Sequence, residues 1–212
     1  MKKVILFDFW GTLVENGVWS PIKQVRNMLQ IRLPFPEYVV RMERAMMTEK
    51  FSSLKEAFES VCKEFSIEPN KERIEALVGM WNSSWMLAQP YQEVKDTLTK
   101  LKEKYSLVLI SNTDSFSIEN VLDKFELRDF FDTIFLSYKV GMIKTDSNFL
   151  KHVVSEVNVE VEDCVIIGDS IQSDMIPAQK IGIKSVLIDR KNSREYPLKI
   201  QKLQQLEGVI ND

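Results

Sequence analysis

Cysteine, histidine, glycine and proline are all scarce in this 212-residue chain, which has two, one, seven and seven of them. Cys62 and Cys164 lie far apart and form no CxxC pair. Such cysteines are typical of buried thiols in a reducing compartment rather than of a disulfide bridge. With 44% apolar and 28% charged residues, the composition is close to that of soluble globular proteins. It excludes a disordered chain, a fibrous repeat and a disulfide-stapled miniprotein.

Long apolar runs and a surplus of positive charge are also missing. No run of about 20 apolar residues is present, so we expect no membrane span and no membrane partner. The formal net charge is -3, whereas a nucleic-acid-binding protein usually carries a basic surplus, so we expect no nucleic-acid partner. The N-terminal segment reaches Asp8 too early for a signal peptide. We therefore expect a cytoplasmic protein.

Short apolar runs predict strands buried on both faces of a parallel sheet, because each run is continuous rather than alternating. The runs are Val4–Phe7, Leu107–Ile110, Cys164–Ile167 and Ser185–Ile188, with Thr133–Leu136 as a fifth predicted strand. Helices are predicted between them at about 90–104, 117–125, 146–157 and 173–181, and a terminal helix is predicted near 198–206. Alternating strands and helices predict an α/β fold with a crossover-connected parallel sheet.

The segment between the first two long strands breaks this alternation. Residues 16–89 contain no clear strand, and four helices are predicted there from proline breaks and N-terminal capping residues. We therefore predict that residues 1–15 and 90–212 form the sheet-containing core. Residues 16–89 are predicted to form an inserted all-helical unit.

Polar residues follow the predicted strands, at the edge where ligands gather in an open parallel sheet. The candidate site residues, in chain order, are Asp8, Gly11, Ser111, Asn112, Lys144, Asp169 and Asp174. Because the carboxyl ends of parallel strands meet at one edge, we expect these residues to converge there. Lys139 is an alternative lysine near Lys144.

Three acids in this set favour a metal site. The Asp8 and Asp169 carboxylates are hard oxygen ligands of the kind that hold octahedral Mg²⁺. Asp174 could orient water molecules on the metal or pair with Lys144. We therefore expect Mg²⁺ as the cofactor.

The same residues suit attack on a phosphorylated molecule. A carboxylate such as Asp8 is a competent nucleophile toward phosphorus. Attack by one anion on another requires that the charge of the phosphoryl oxygens be neutralised. Besides Mg²⁺, the groups that could do this are Lys144, the Ser111 hydroxyl and backbone N–H groups around Gly11 and Asn112.

In order and spacing these residues resemble the four motifs of the haloacid dehalogenase superfamily. The motifs are Asp8-x-x-Gly11-Thr12, Ser111-Asn112, Lys144, and Gly168-Asp169-Ser170 with Asp174. The resemblance covers the whole chain. It implies a Rossmann-like parallel sheet core with an all-helical cap inserted after the first strand.

The resemblance also implies a role for each residue. Asp8 would be the nucleophile, and Ser111 and Lys144 would bind phosphate. The implied metal ligands are Asp8, Asp169 and the backbone carbonyl of Trp10, with Asp174 supporting the metal shell. The implied activity is that of a Mg²⁺-dependent phosphohydrolase, which would cleave a small phosphorylated substrate through an aspartyl-phosphate on Asp8.

Trp10 departs from the phosphatase pattern. Phosphatases of the superfamily usually carry a second aspartate at this catalytic position, which protonates the leaving oxygen and then activates water. An indole N–H only donates a hydrogen bond. The haloacid dehalogenases have an aromatic residue there and need no metal, but they generally lack the acid that Asp169 supplies.

Two alternatives therefore stay open. One is a 2-haloacid dehalogenase that uses Asp8 on carbon, and the other is a phosphate-binding protein of weak turnover. Plainer roles also stay open, because loop aspartates often cap helices or form turns. Ser111-Asn112 could simply turn the chain, and Lys144 could be solvated.

Overall fold

A six-stranded parallel sheet forms the centre of the computed structural model, which describes residues 3–210. The strands are β1 (Val4–Phe7), β2 (Val14–Glu15), β3 (Gln89–Pro90), β4 (Ser106–Ser111), β5 (Thr133–Leu136), β6 (Cys164–Gly168), β7 (Lys184–Ile188) and β8 (Lys199–Ile200). The sheet order is β5-β4-β1-β6-β7-β8, and β2 and β3 form a separate antiparallel pair. The predicted α/β fold and its five predicted strands are confirmed.

The sheet is buried on both faces. Ile5 and Phe7 of β1 belong to one apolar core, and Val4 and Leu6 belong to the other. Successive side chains of a strand point to opposite faces, so a strand between two cores must be apolar throughout. This explains why the strands are continuous apolar runs in the sequence.

Ten α-helices lie within residues 3–210. They are α1 (Pro21–Met28), α2 (Phe35–Met47), α3 (Leu54–Glu64), α4 (Lys71–Met86), α5 (Val94–Lys104), α6 (Ser117–Lys124), α7 (Ser137–Val140), α8 (Ser147–Val157), α9 (Ile176–Ile181) and α10 (Leu206–Ile210). Helices α1–α4 follow one another between β2 and β3, where an inserted helical region is predicted. No helix in this part of the chain is long and apolar enough to cross a membrane.

The helical region has an apolar core of its own. Its helices begin where the sequence supplies caps: Ser53 accepts a hydrogen bond from the Glu56 N–H, and Asn70 accepts one from the Arg73 N–H. Helix α4 packs against α6 of the sheet-containing part. This contact holds the helical region over the carboxyl edge of the sheet.

Three predicted helices differ from the structure. Pro90 pairs with Val14 in a strand, so the helix predicted from 90 begins instead at Val94. The segment Ile171–Met175 has π-helical hydrogen bonding, and α9 starts only after it, although Gly182 ends it as expected. The helix predicted at 198–206 is wrong, because Lys199–Ile200 pairs with β7 and the helix starts at 206.

Candidate active site

The central strand β1 and its two neighbours deliver the predicted residues to one edge of the sheet. Asp8 follows β1, Ser111 ends β4, and Asp169 follows β6. Strands β4 and β6 flank β1 in parallel, so all three strands end at the same edge. The predicted convergence therefore follows from the order of the strands.

Lys144 lies at the centre of this group. Its Nζ donates hydrogen bonds to Asp8 Oδ1 at 2.6 Å and to Asp174 Oδ1 at 2.5 Å. Burial lowers the pKa of Lys144, but the nearby charges of Asp174 and Asp8 outweigh it and raise the pKa above its ordinary value. Lys144 is therefore a permanent buried cation. Lys139, the alternative, pairs with Glu119 at 2.7 Å instead.

Three carboxylates crowd around this single ammonium group. Asp8, Asp169 and Asp174 each offer an oxygen within 4.8 Å of the others. Removal from water and the charges of Asp8 and Asp174 raise the pKa of Asp169 to about 8. Three carboxylates this close together fit a divalent cation, for which carboxylate oxygens are preferred ligands.

Two glycines allow the acids to come this close. A Cβ on Gly11 would lie 2.4 Å from Asp169 Oδ2, and a Cβ on Gly168 would lie 2.2 Å from Asp174 Oδ2. Gly11 also has a φ of 80°, which favours glycine. The glycines of the two motifs are thus required by the packing of the carboxylates.

The Asp8 side chain is held at both oxygens. The Thr12 hydroxyl donates to Oδ2 at 2.7 Å, while Lys144 binds Oδ1. The carboxylate is buried, at 5% exposure, so its orientation is set by these two contacts. The Asp8 carboxylate therefore has a fixed orientation where it lines the cavity.

That cavity encloses about 620 Å³ and has a polar floor and a mostly apolar roof. The floor holds Asp8, Lys144 and the other acids. The roof comes from the helical region, and the side chains that line it include Ile22, Phe35, Val39, Met47, Trp81 and Trp85. The size and lining suit a small molecule with an anionic end and a larger, less polar end.

The predicted phosphate-binding and Trp10 positions differ in their access to the cavity. Asn112 lines it, and its Oδ1 accepts the Lys144 backbone N–H at 2.8 Å. Ser111 is fully buried, and its hydroxyl is directed to the Asn112 carbonyl at 3.4 Å. Trp10 lines the cavity, and its indole N–H lies 3.4 Å from the Thr113 hydroxyl.

Some residues that line the cavity belong to none of the sequence motifs. Asp114 caps α6 by accepting the Phe116 and Ser117 N–H groups at 2.8 Å, and it also accepts the Trp81 indole N–H at 2.9 Å. Arg194 donates to the Asp169 backbone carbonyl. Glu43, on α2, lines the roof. Its only sequence signal is an acid between Val39 and Met47 on an otherwise apolar helix face.

Comparison with known proteins gives consistent matches. A family model for haloacid dehalogenase-like hydrolases matches residues 5–188. Glyceraldehyde 3-phosphate phosphatase of Pyrococcus furiosus is 24% identical over 190 residues, which cover 87% of this chain and 79% of that protein.

Solved structures match over nearly the full length. A haloacid dehalogenase-like hydrolase of Bacillus subtilis, solved bound to magnesium, superposes with a TM-score of 0.67 at 19% identity, covering 100% of this chain and 99% of that one. The L-2-haloacid dehalogenase of Xanthobacter autotrophicus superposes with a TM-score of 0.67 at 14% identity, with the same coverage. These likenesses show the fold alone, so the reaction has to be inferred from the residues of the site.

Proposed function

We propose, from the premise that the chain belongs to the haloacid dehalogenase-like hydrolase family, that it is a Mg²⁺-dependent phosphatase of a small phosphate ester. The observation that carries this proposal is the cluster of Asp8, Asp169 and Asp174 around Lys144. Three carboxylates and one ammonium leave an excess of negative charge. An anionic ester could not enter without a further cation, and a divalent ion would neutralise the excess.

The residues present fit that ion. Asp8 and Asp169 would hold Mg²⁺ together with the Trp10 backbone carbonyl, and Asp174 would support the metal shell. Bound Mg²⁺ would supply a Lewis acid that neutralises charge on the phosphoryl oxygens. A metal at this place would hinder attack on a 2-haloacid, which needs no such neutralisation.

The chain's own residues would perform the displacement. The Asp8 carboxylate attacks phosphorus, the bond to the leaving oxygen breaks, and an aspartyl-phosphate forms. Lys144 and the backbone around Gly11 and Asn112 stabilise the charge on the phosphoryl oxygens. Water then attacks the phosphorus of the aspartyl-phosphate, which releases phosphate and restores Asp8. The Thr12 and Lys144 contacts keep the carboxylate pointed at the substrate throughout.

The relatives support a small phosphorylated substrate. The Pyrococcus protein is named for its action on glyceraldehyde 3-phosphate, and the cavity volume of about 620 Å³ accommodates a molecule of that class.

Trp10 favours a second candidate function, that of a 2-haloacid dehalogenase. The resemblance implies that it replaces the acid–base aspartate of the phosphatases, and an aromatic residue there is a feature of the 2-haloacid dehalogenases. A dehalogenase would use Asp8 on carbon, with halide as the leaving group. The three clustered acids count against it, because the haloacid dehalogenases need no metal.

One substrate panel distinguishes the two functions. Purified protein is given p-nitrophenyl phosphate, glycerol 3-phosphate and 2-chloropropionate, each with Mg²⁺ and with EDTA. We expect Mg²⁺-dependent phosphate release and no chloride release, and we expect Asp8→Asn to abolish turnover. Asp123→Asn, at an exposed aspartate paired with Arg128, is the matched control and should keep wild-type rates. Chloride release without Mg²⁺ would overturn the phosphatase proposal.

A further inference from the structure

One acid in the roof of the cavity has no part in the proposed displacement at phosphorus. Glu43 lies on α2, one helical turn from Val39 and one from Met47, and all three side chains line the cavity. Residues four apart share a face of a helix. Glu43 is therefore a carboxyl group placed within an apolar wall, above the nucleophile. An acid at such a position costs stability unless it has a partner.

Its partner connects it to the floor of the site. Asn112 Nδ2 donates a hydrogen bond to Glu43 Oε2 at 2.8 Å. The same amide accepts the Lys144 backbone N–H through Oδ1 at 2.8 Å, and Lys144 Nζ lies 2.6 Å from Asp8. Two hydrogen bonds through one amide thus hold Glu43 in a fixed place relative to the nucleophile. An asparagine that is bonded at both ends of its amide cannot rotate without losing both contacts.

The other carboxyl groups that line the cavity are already engaged. Asp114 accepts helix-capping hydrogen bonds and an indole N–H. Asp8, Asp169 and Asp174 form the cluster around Lys144. Among the cavity-lining residues that the structure describes, Glu43 is the carboxyl outside both arrangements. Trp10, at the usual position of the acid, has no proton to exchange near neutral pH.

The environment of Glu43 suits proton transfer. Burial raises the pKa of its carboxyl to about 7, against the opposing effects of the Lys144 charge and the Asn112 hydrogen bond. The charges of Asp174 and Asp8 act in the same direction as burial. A general acid or base works best when its pKa lies near the operating pH.

We propose that Glu43 is the general acid and base of this site, in place of the aspartate that Trp10 replaces. The role rests on the proposed phosphatase function. As Asp8 attacks and the bond from phosphorus to the leaving oxygen breaks, the Glu43 carboxyl gives its proton to that oxygen. The resulting carboxylate then takes a proton from the water that attacks the aspartyl-phosphate. When the bond from phosphorus to Asp8 breaks, Glu43 is again protonated and Asp8 is again a carboxylate.

The test compares leaving groups that differ in their need for a proton. A nitrophenolate leaves without protonation, whereas the alkoxide of glycerol 3-phosphate does not. Glu43→Gln keeps an oxygen that accepts from Asn112 but has no proton to transfer. We expect the ratio of kcat/KM for the alkyl ester to that for the aryl ester to fall by about 10²–10⁴ in Glu43→Gln.

Glu37→Gln is the matched control, because Glu37 lies on the same helix, is exposed and pairs only with Arg41, at 3.7 Å. The ratio should not change in this variant. An unchanged ratio in Glu43→Gln, or an equal loss on both esters, would overturn the role of Glu43 while leaving the phosphatase proposal intact. A wild type that hydrolyses neither ester would refute the phosphatase function, and the role of Glu43 with it.

A second measurement needs no variant and covers the case in which Glu43→Gln fails to fold. In wild type, kcat/KM for the alkyl ester should fall as pH rises through about 7, because the acid form is lost. The aryl ester should lack this decrease. Parallel pH profiles for the two esters would overturn the proposal.

Discussion

Replacing Gly168 with alanine tests how tightly the acidic cluster is packed. The added Cβ would lie 2.2 Å from Asp174 Oδ2, 2.4 Å from its Cγ and 2.7 Å from its Cβ. Asp174 cannot turn away freely, because its carboxylate accepts hydrogen bonds from Lys144 at 2.5 Å and from the Ser170 N–H at 3.0 Å. The methyl group must therefore distort β6 or separate Asp174 from Lys144.

The cost in free energy of unfolding is known to an order of magnitude for each of these two outcomes. Overpacking costs about 1–3 kcal/mol, and loss of one partner from a buried ion pair costs about 3–5 kcal/mol. We expect the free energy of unfolding of Gly168→Ala to fall by about 1–5 kcal/mol, depending on which outcome prevails. In a domain of this size, that lowers Tm by about 2–20 °C. Turnover should be lost as well, because displacement of Asp174 removes one of the two carboxylates that hold Lys144 in place.

Gly79 provides the matched control, because it lies inside α4 and a Cβ there would meet nothing within 4 Å. Gly79→Ala should raise stability by up to about 1 kcal/mol through helix propensity. Urea unfolding followed by circular dichroism, in buffer with EDTA, measures both variants. If Gly168→Ala is as stable as Gly79→Ala, the close packing of Asp174 on the strand is wrong.

Four further predictions concern the charges and the proton. Mg²⁺ at about 100 times its Kd should stabilise wild type by about 2.7 kcal/mol and Asp169→Asn much less. Equal shifts in the Tm of the two proteins would contradict the proposed metal site. Without metal, in EDTA, the pKa of Asp169 is raised from 3.8 to about 8 by folding. Between these two pH values the folded state holds a proton on Asp169 that the unfolded state does not. Stability should therefore fall as pH rises through this range, less so in Asp169→Asn, in urea titrations at a series of pH values. Asp8→Asn should lose beryllofluoride binding, measured by calorimetry, while keeping its circular dichroism spectrum; retained binding would contradict the nucleophile assignment. Trp10→Asp in a Glu43→Gln background should restore part of the lost alkyl-ester kcat/KM, and a folded double variant with no gain would show that position 10 does not reach the leaving oxygen.

The sheet and its polar edge could be predicted because their signals are local. A strand buried on both faces must be a continuous apolar run, as Val4–Phe7 is. Parallel strands then bring Asp8 and Asp169 to one edge whatever lies between them in the sequence. Lys144 joins them through a loop, and only the motif order pointed to it rather than to Lys139.

The remaining elements depend on contacts that no short stretch of sequence encodes. Strand β8 is two residues long at an edge of the sheet, and its pairing with β7 decides its conformation. Pro90 is a common first residue of a helix, yet it pairs with Val14 across the entry to the helical region. Glu43 is an ordinary helix residue until α2 is placed above β4. Glu43 becomes a candidate catalytic residue only because the helical region lies over the sheet.

The walls of the cavity also determine how its occupancy can be observed. Three of the chain's four tryptophans, Trp10, Trp81 and Trp85, line the cavity, whereas Trp19 is 67% exposed. Indole fluorescence responds to the polarity of the surroundings and to nearby quenching groups. A molecule that fills the cavity therefore alters the emission of three indoles over a background from Trp19. The protein contains its own optical reporter, with which binding of unlabelled esters, including those it does not hydrolyse, can be titrated directly.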